Sequence, residues 1–238
     1  MENKKTFAVL GGGSWATAIV KMLTGNGHKV GWYMRNTDAI AYIKKHRHNP
    51  NYLSSVEFPV SLLDMSSDIN GTITNYDVLI FAIPSAFLST ELKKLTASFE
   101  GKIIFSAIKG IVPESGLIVG EHFHKTYDVP FESIGVLTGP CHAEEVALER
   151  LSYLTLACAD PNKATLVADA LKSDYINTKI SDDIIGTEYA AMLKNIYAIA
   201  AGIAHGLGYG DNFQSVLMSN AIREMKRFIK KVHKMKRN

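Results

Sequence analysis

A chain of 238 residues is long enough for a full core, and its 47% hydrophobic and 21% charged residues are those of an ordinary globular protein, with too little Pro and Gly for a fibrous or low-complexity chain. The net charge of +3 comes from the last thirteen residues: the seven Lys and Arg of segment 226–238 turn a body of −4 into +3, which argues against a nucleic-acid-binding surface on that body. Two cysteines, Cys141 and Cys158, make neither a disulfide framework nor a metal motif, so no metal is expected.

In chain order, Thr6–Leu10 is a short apolar run that predicts a strand, and it ends in Gly11-Gly12-Gly13. The residues from Ser14 to about Leu23 predict a helix, stopped by Gly25-Asn26-Gly27, and His28–Met34 a second strand. Asp77–Ile83 is a further apolar strand, followed after Pro84-Ser85 by a helix expected to reach Phe99. Lys102–Ala107, Ser133–Leu137 and Tyr153–Ala157 predict more strands. Apolar strands alternating with helices imply an α/β fold with a mostly parallel, doubly wound sheet. From Asp182 the pattern becomes helical, with one helix to about Leu207 and another over Asp211–Lys236, joined by Gly206-Leu-Gly-Tyr-Gly210. The pair Asp211 and Gln214 reads as a cap for the second helix. The expected division is 1–181 and 182–238, the latter an incomplete all-α domain. The apolar run Ile196–Ala204 is too short to span a membrane.

Gly11-Gly12-Gly13-Ser14-Trp15-Ala16 is a G-x-G-x-x-A between strand and helix, the Rossmann-type dinucleotide fingerprint. Gly11 serves the tight turn, Gly13 the approach of a pyrophosphate, and Ala16 the close packing of helix on strand, with the helix N-terminus offering free N–H groups. An acid at the end of the second strand, usual for NAD, is missing. Arg35 stands there and favours a 2′-phosphate, hence NADPH, without excluding NADH.

Three stretches fall at strand ends, where a doubly wound sheet gathers its ligand: Ala82-Ile-Pro-Ser85, Ala107-Ile-Lys109-Gly110 and Thr138-Gly139-Pro140-Cys141-His142-Ala143. Lys109 is a candidate for meeting an anionic substrate, and Gly139-Pro140 before a helix start a second anion or hydroxyl site. Lys194 lies among Ala190, Ala191, Ala198 and Ala201 on its helix. This leaves room for a ligand, and partial desolvation would bring the lysine toward acid–base duty. Asn195 beside it can orient a substrate oxygen.

The set GGGSWATA, AIPS, AIKGI, TGPCHAEEVA and EYAAMLKNIYAIAAGIAHGLGYGDN closely resembles the NAD(P)-dependent glycerol-3-phosphate dehydrogenase family of bacterial type, over nearly the whole chain. The resemblance implies hydride transfer between NAD(P)H and dihydroxyacetone phosphate, giving sn-glycerol 3-phosphate for phospholipid synthesis. It implies Lys194 as proton donor or acceptor at the C2 oxygen, Lys109 as a contact of substrate and cofactor, Gly139 and Cys141 as substrate contacts, and Ser14, Trp15, Arg35 and Ala143 as cofactor contacts. It allows a homodimer with a small-molecule substrate; the two isolated cysteines fit a reducing cytoplasm, and the short apolar runs predict no stable membrane insertion.

Cys141 stands where the family has Ser or Thr, His205 where it often has Asp, and Asn220 where many members carry Arg. A Cys141–His142 nucleophilic pair is disfavoured, since adjacent residues on a helix point apart. The Gly-Asp-Leu and Ser-Arg-Asn segments of the family's helical domain are missing, so the chain reads as C-terminally truncated, with dinucleotide binding expected and little turnover. The alternatives are a 6-phosphogluconate or hydroxyacid dehydrogenase of like architecture, a non-catalytic dinucleotide-binding module, and a membrane-surface role for the basic tail.

Overall fold

The computed structural model describes residues 5–232. The first unit is strand β1 (Phe7–Leu10), helix α1 (Ser14–Gly25) and strand β2 (Val30–Tyr33); both strands lie within the expected segments, and α1 runs two residues past Leu23 to cap at Asn26. Helix α2 (Thr37–His46), strand β3 (Leu63–Ser66) and helix α3 (Ile69–Asn75) follow. None of the three is among the expected elements; α2 and α3 are started by side-chain caps, Asn36 accepting from the Asp38 and Ala39 N–H groups and Asp68 from Asn70 N–H.

The chain continues with β4 (Val78–Phe81), α4 (Ser85–Leu92), β5 (Ile103–Ser106), a small antiparallel pair β6 (Ile111–Val112) and β7 (Leu117–Ile118), and α5 (Val119–Tyr127). Helix α4 ends at Leu92, seven residues short of the expected Phe99, because Leu95, Ala97 and Phe99 leave the helix to pack under the sheet. Phe99 meets Phe81, Phe123 and Tyr127 edge-on, a geometry an extended segment reaches more easily than a helix face. Then come β8 (Ile134–Thr138), α6 (Ala143–Ala147), β9 (Ser152–Cys158), α7 (Pro161–Leu171), β10 (Ile176–Ser181), α8 (Ile184–Gly206) and α9 (Asp211–Val232). Residues 233–236 of the expected last helix, and the end of the basic tail, lie outside the described residues.

The main sheet has the order β10-β9-β8-β5-β4-β1-β2-β3. All pairings are parallel except β8 with β9. Alternation along each central strand splits the core in two. Phe7 and Val9 join Trp32, Val78, Ile80 and Phe105 under α1 and α7, whereas Ala8 and Leu10 join Tyr33, Leu79, Phe81 and Ile104 under α3, α4 and α5. Helices on both faces of a mostly parallel sheet make the doubly wound α/β architecture expected. It is followed by a helical hairpin, α8 and α9, on which Ile199, Ile203, Leu207, Met218 and Ile222 are exposed. Among the described residues, no helix is long and apolar enough to cross a membrane.

Gln214 does not cap α9 with Asp211. Its side-chain amide donates to the Ala201 carbonyl at 3.1 Å, stitching α9 to α8.

Candidate active site

The strand-to-helix turn after β1 is built for backbone approach. Gly11 has φ +140°, and a Cβ there would run into the Ala82 carbonyl of the neighbouring strand end. Gly13 has nothing within 4 Å of a Cβ position, so this face of the turn is open. Two bonds fix the turn from below: Gly11 N–H donates to the Tyr33 carbonyl at 3.0 Å, and the buried Trp32 indole N–H donates to the Gly11 carbonyl at 2.8 Å. Gly13 caps α1 with no side chain, leaving the first N–H groups of a twelve-residue helix free for an anion. Ala16 is fully buried, and Ser14 and Trp15 half-buried at the same turn. A phosphate-bearing dinucleotide fits this cradle.

A cleft of about 550 Å³ runs from Gly11–Gly13 to the end of β2 and across to Ala82-Ile83-Pro84 and Phe87. One wall is the loop after α2. Buried Asn49 donates to the Thr17 hydroxyl of α1 at 2.9 Å and accepts from Asn51 and Tyr52 N–H, holding Asn51 and Tyr52 against the cleft. Arg35 reaches over the Phe87 ring, 5.7 Å from its centroid, and its Nη1 lies 3.4 Å from Glu91 Oε1. Glu91 is 1% exposed and accepts from the Tyr33 hydroxyl at 2.6 Å and from Lys94 Nζ at 3.0 Å. Burial works against its charge, but the Tyr33 hydrogen bond and the Lys94 and Arg35 charges prevail and hold its pKa below the ordinary value. Nothing in the local sequence marks Phe87 and Glu91, because they reach the cleft from a different strand–helix unit.

The second group of expected residues lies at the other strand ends. Gly110, at φ +135°, comes close to Ser85, so the turns after β4 and β5 meet. Lys109 has exposed surface, yet burial of its ammonium followed by the like charge of Lys194 holds its pKa below the usual lysine range, against an opposing effect of Cys141. Lys109, Lys194 and Cys141 therefore share one neighbourhood. Gly139, at φ +146°, lies against the Tyr153 carbonyl of β9, where a side chain has no room. Ala143 is buried at the start of α6.

Three expectations are corrected here. Lys194 and Asn195 are exposed; the desolvation expected of Lys194 falls on Lys109, because α8 turns Leu193 inward and leaves Lys194 at the surface. Cys141 and His142 precede α6 instead of lying on it, and burial raises the Cys141 pKa, with a Ser152 hydrogen bond acting against the rise, so the thiol is a poor nucleophile. The helix start expected directly after Gly139-Pro140 comes only at Ala143, and α6 has five residues, so its end adds little dipole to the anion or hydroxyl site expected there.

Sequence reasoning also passed over Glu188. It is 4% exposed on the first turns of α8, and its carboxylate accepts from Gly120 N–H at 3.0 Å, capping α5 from another part of the chain. Burial pushes its pKa up to about 8, against the Gly120 hydrogen bond. A lone acid in the apolar run Ile184–Ala191 is the trace it leaves in the sequence.

Comparison with known proteins gives the family. The family profile for the NAD-dependent glycerol-3-phosphate dehydrogenase N-terminus matches residues 6–164, and that for its C-terminus residues 183–238. A glycerol-3-phosphate dehydrogenase (NAD(P)+) of an Exiguobacterium species is 36% identical over 222 residues, covering 92% of this chain and 65% of the relative. One of Oceanobacillus iheyensis is 37% identical, with 92% and 64% covered. The chain thus spans just under two thirds of the length of these relatives. The crystal structure of glycerol-3-phosphate dehydrogenase from Coxiella burnetii superposes with a TM-score of 0.85 at 27% identity, over 97% of this chain and 70% of that one. With the glycine turn, the cleft and both profile matches in register along one chain, the protein belongs to the NAD-dependent glycerol-3-phosphate dehydrogenase family.

Proposed function

We propose that the chain binds NADPH or NADH along the cleft, and that the reaction it serves is the reversible reduction of dihydroxyacetone phosphate to sn-glycerol 3-phosphate. The observation that carries this reading is the open glycine turn at the free N-terminus of α1, continuous with the cleft; Lys109 and Lys194, from separate segments but within electrostatic reach of each other, support it. The relatives' name, glycerol-3-phosphate dehydrogenase (NAD(P)+), supports the same reaction.

In this reading the backbone of Gly11, Gly13, Ser14, Trp15 and Ala16 holds the pyrophosphate, Arg35 the adenosine end, and Lys109 and Ala143 the nicotinamide end. The bound dinucleotide supplies or takes up hydride at the substrate C2 carbon. Lys194 gives the proton to the C2 oxygen in reduction and takes it back in oxidation. Lys109 offers positive charge to the phosphate, and Asn195, Gly139 and Cys141 orient the substrate. The division into a cofactor unit, 1–181, and a helical substrate unit, 182–238, belongs to the same reading, as do a cytoplasmic setting, supported by two buried free thiols, and a role in phospholipid synthesis. The exposed apolar residues of α8 and α9 are consistent with a homodimer, which sedimentation velocity tests.

The test is nicotinamide absorbance with dihydroxyacetone phosphate, beside nucleotide titration. Lys194→Ala is expected to lower turnover by about 10²–10⁴-fold and leave the NADPH Kd within about twofold. Faster consumption with 6-phosphogluconate or a hydroxyacid, or a Lys194→Ala variant as active as the parent, overturns the assignment.

A further inference from the structure

The adenosine end of the cleft lacks the acid that usually follows the second strand, yet a carboxylate is there. Glu91 comes from α4, lines the cleft with Tyr33, Met34, Arg35 and Phe87, and is almost fully buried. In a strand–helix–strand unit the ribose of the adenosine lies at the end of the second strand. Glu91 is tied to that point twice, by the Tyr33 hydroxyl at 2.6 Å and by Arg35 at 3.4 Å.

We infer that Glu91 is the specificity-determining residue for the adenosine 2′ position, restraining the preference for NADPH that Arg35 alone would impose. The inference rests on the cleft's being the dinucleotide site. Arg35 and Lys94 face Glu91, so the three side chains together carry a formal charge of +1. The 2′-phosphate is all that separates NADPH from NADH, and it carries close to two negative charges. One carboxylate therefore acts on one nucleotide and scarcely on the other, in a site where burial keeps its field strong. Glu91 also binds one edge of the Arg35 guanidinium, which leaves fewer donors for a phosphate. Neutralising Glu91 raises the local charge to +2 and frees Arg35. Neutralising Lys94 lowers it to zero and strengthens the hold of Glu91 on Arg35.

The test is fluorescence titration of NADPH and NADH on the full 238-residue chain, with Glu91→Gln and Lys94→Gln beside the parent. Gln keeps an acceptor for the Tyr33 hydroxyl, and Lys94 is half exposed, so its replacement leaves the core intact. Glu91→Gln is expected to raise the ratio of NADPH to NADH affinity about tenfold, and Lys94→Gln to lower it several-fold. A ratio unmoved in Glu91→Gln, or both nucleotides changing together, means that Glu91 is only a structural prop, and overturns the inference. Should Glu91→Gln fail to fold, the Lys94→Gln ratio decides alone. A parent chain that binds neither nucleotide overturns the cofactor reading itself, a result distinct from binding with an unmoved ratio.

Discussion

Replacing Glu188 by Gln should stabilise the protein, and the gain should grow with pH. In the folded chain the Glu188 carboxyl is pushed from an ordinary 4.5 to about 8 by burial. An unfolded chain releases its proton near 4.5, so between these values the unfolded state is favoured by ionisation and the folded state is not. The stability associated with protonated Glu188 is therefore complete below about pH 4.5 and is lost as pH rises through about 8. One pH unit corresponds to about 1.4 kcal/mol, which gives about 3 kcal/mol by pH 7 and about 5 kcal/mol at the upper end. Gln has the shape of the protonated acid, keeps an acceptor for Gly120 N–H, and does not ionise in either state. Other groups titrate alike in both proteins, so the difference between them isolates this side chain. For a chain of this size about 1 kcal/mol moves Tm by roughly 2–4 °C, so the variant should melt roughly 10 °C higher at pH 7 and close to the parent at pH 4.5. Thermal melts of the ligand-free pair from pH 4.5 to 8 test this. A difference in Tm that is flat with pH, or that shrinks as pH rises, refutes the account of Glu188 as a buried neutral cap.

Gly11→Ala should cost about 3 kcal/mol or more in urea unfolding and abolish measurable nucleotide binding, since φ +140° and the Ala82 carbonyl leave no place for a Cβ; a variant as stable as the parent counts against the close strand contact. Trp32→Phe deletes the donor that holds the Gly11 carbonyl at 2.8 Å and should destabilise by about 1–3 kcal/mol, with weaker NADH and NADPH binding to the same degree; titration and urea melts read both. Lys194→Met removes the like charge beside Lys109, so the Lys109 pKa should rise, seen as slower reductive methylation of Lys109 at a fixed mildly alkaline pH by mass spectrometry; an unchanged rate means that the two ammonium groups do not face each other.

The parts legible in the sequence are those whose chemistry is local. The first strand, the glycine turn and α1 are contiguous, and each residue type answers to its own backbone need. Lys109 and Gly139 could be named because strand ends are where apolar runs stop. Helices α2 and α3 went unread because they are short, burying three residues each, and their starts are set by Asn36 and Asp68, residues equally at home in loops. Helix α4 was drawn too long because Leu95, Ala97 and Phe99 keep an apolar spacing after the helix has ended. Glu91 and Glu188 were invisible for another reason. Each acts on a partner 58 or 68 residues away, Tyr33 or Gly120, and that meeting is made by the sheet order, which spacing along the chain does not encode.

The single antiparallel pairing in the main sheet, β8 with β9, has a consequence for how this architecture can change. Elsewhere in the sheet, each connection carries the chain through a helix back to the opposite end before the next parallel strand begins. Between β8 and β9 it stays at one end, so residues 139–151 form a cuff beside the glycine turn, where Glu144, Ala147 and Leu148 share a shallow pocket with Ser14, and Lys21 holds Glu149 at 2.8 Å. Such a cuff can be lengthened, shortened or exchanged without re-threading any strand. It is the natural place to graft new selectivity onto an unaltered nucleotide scaffold.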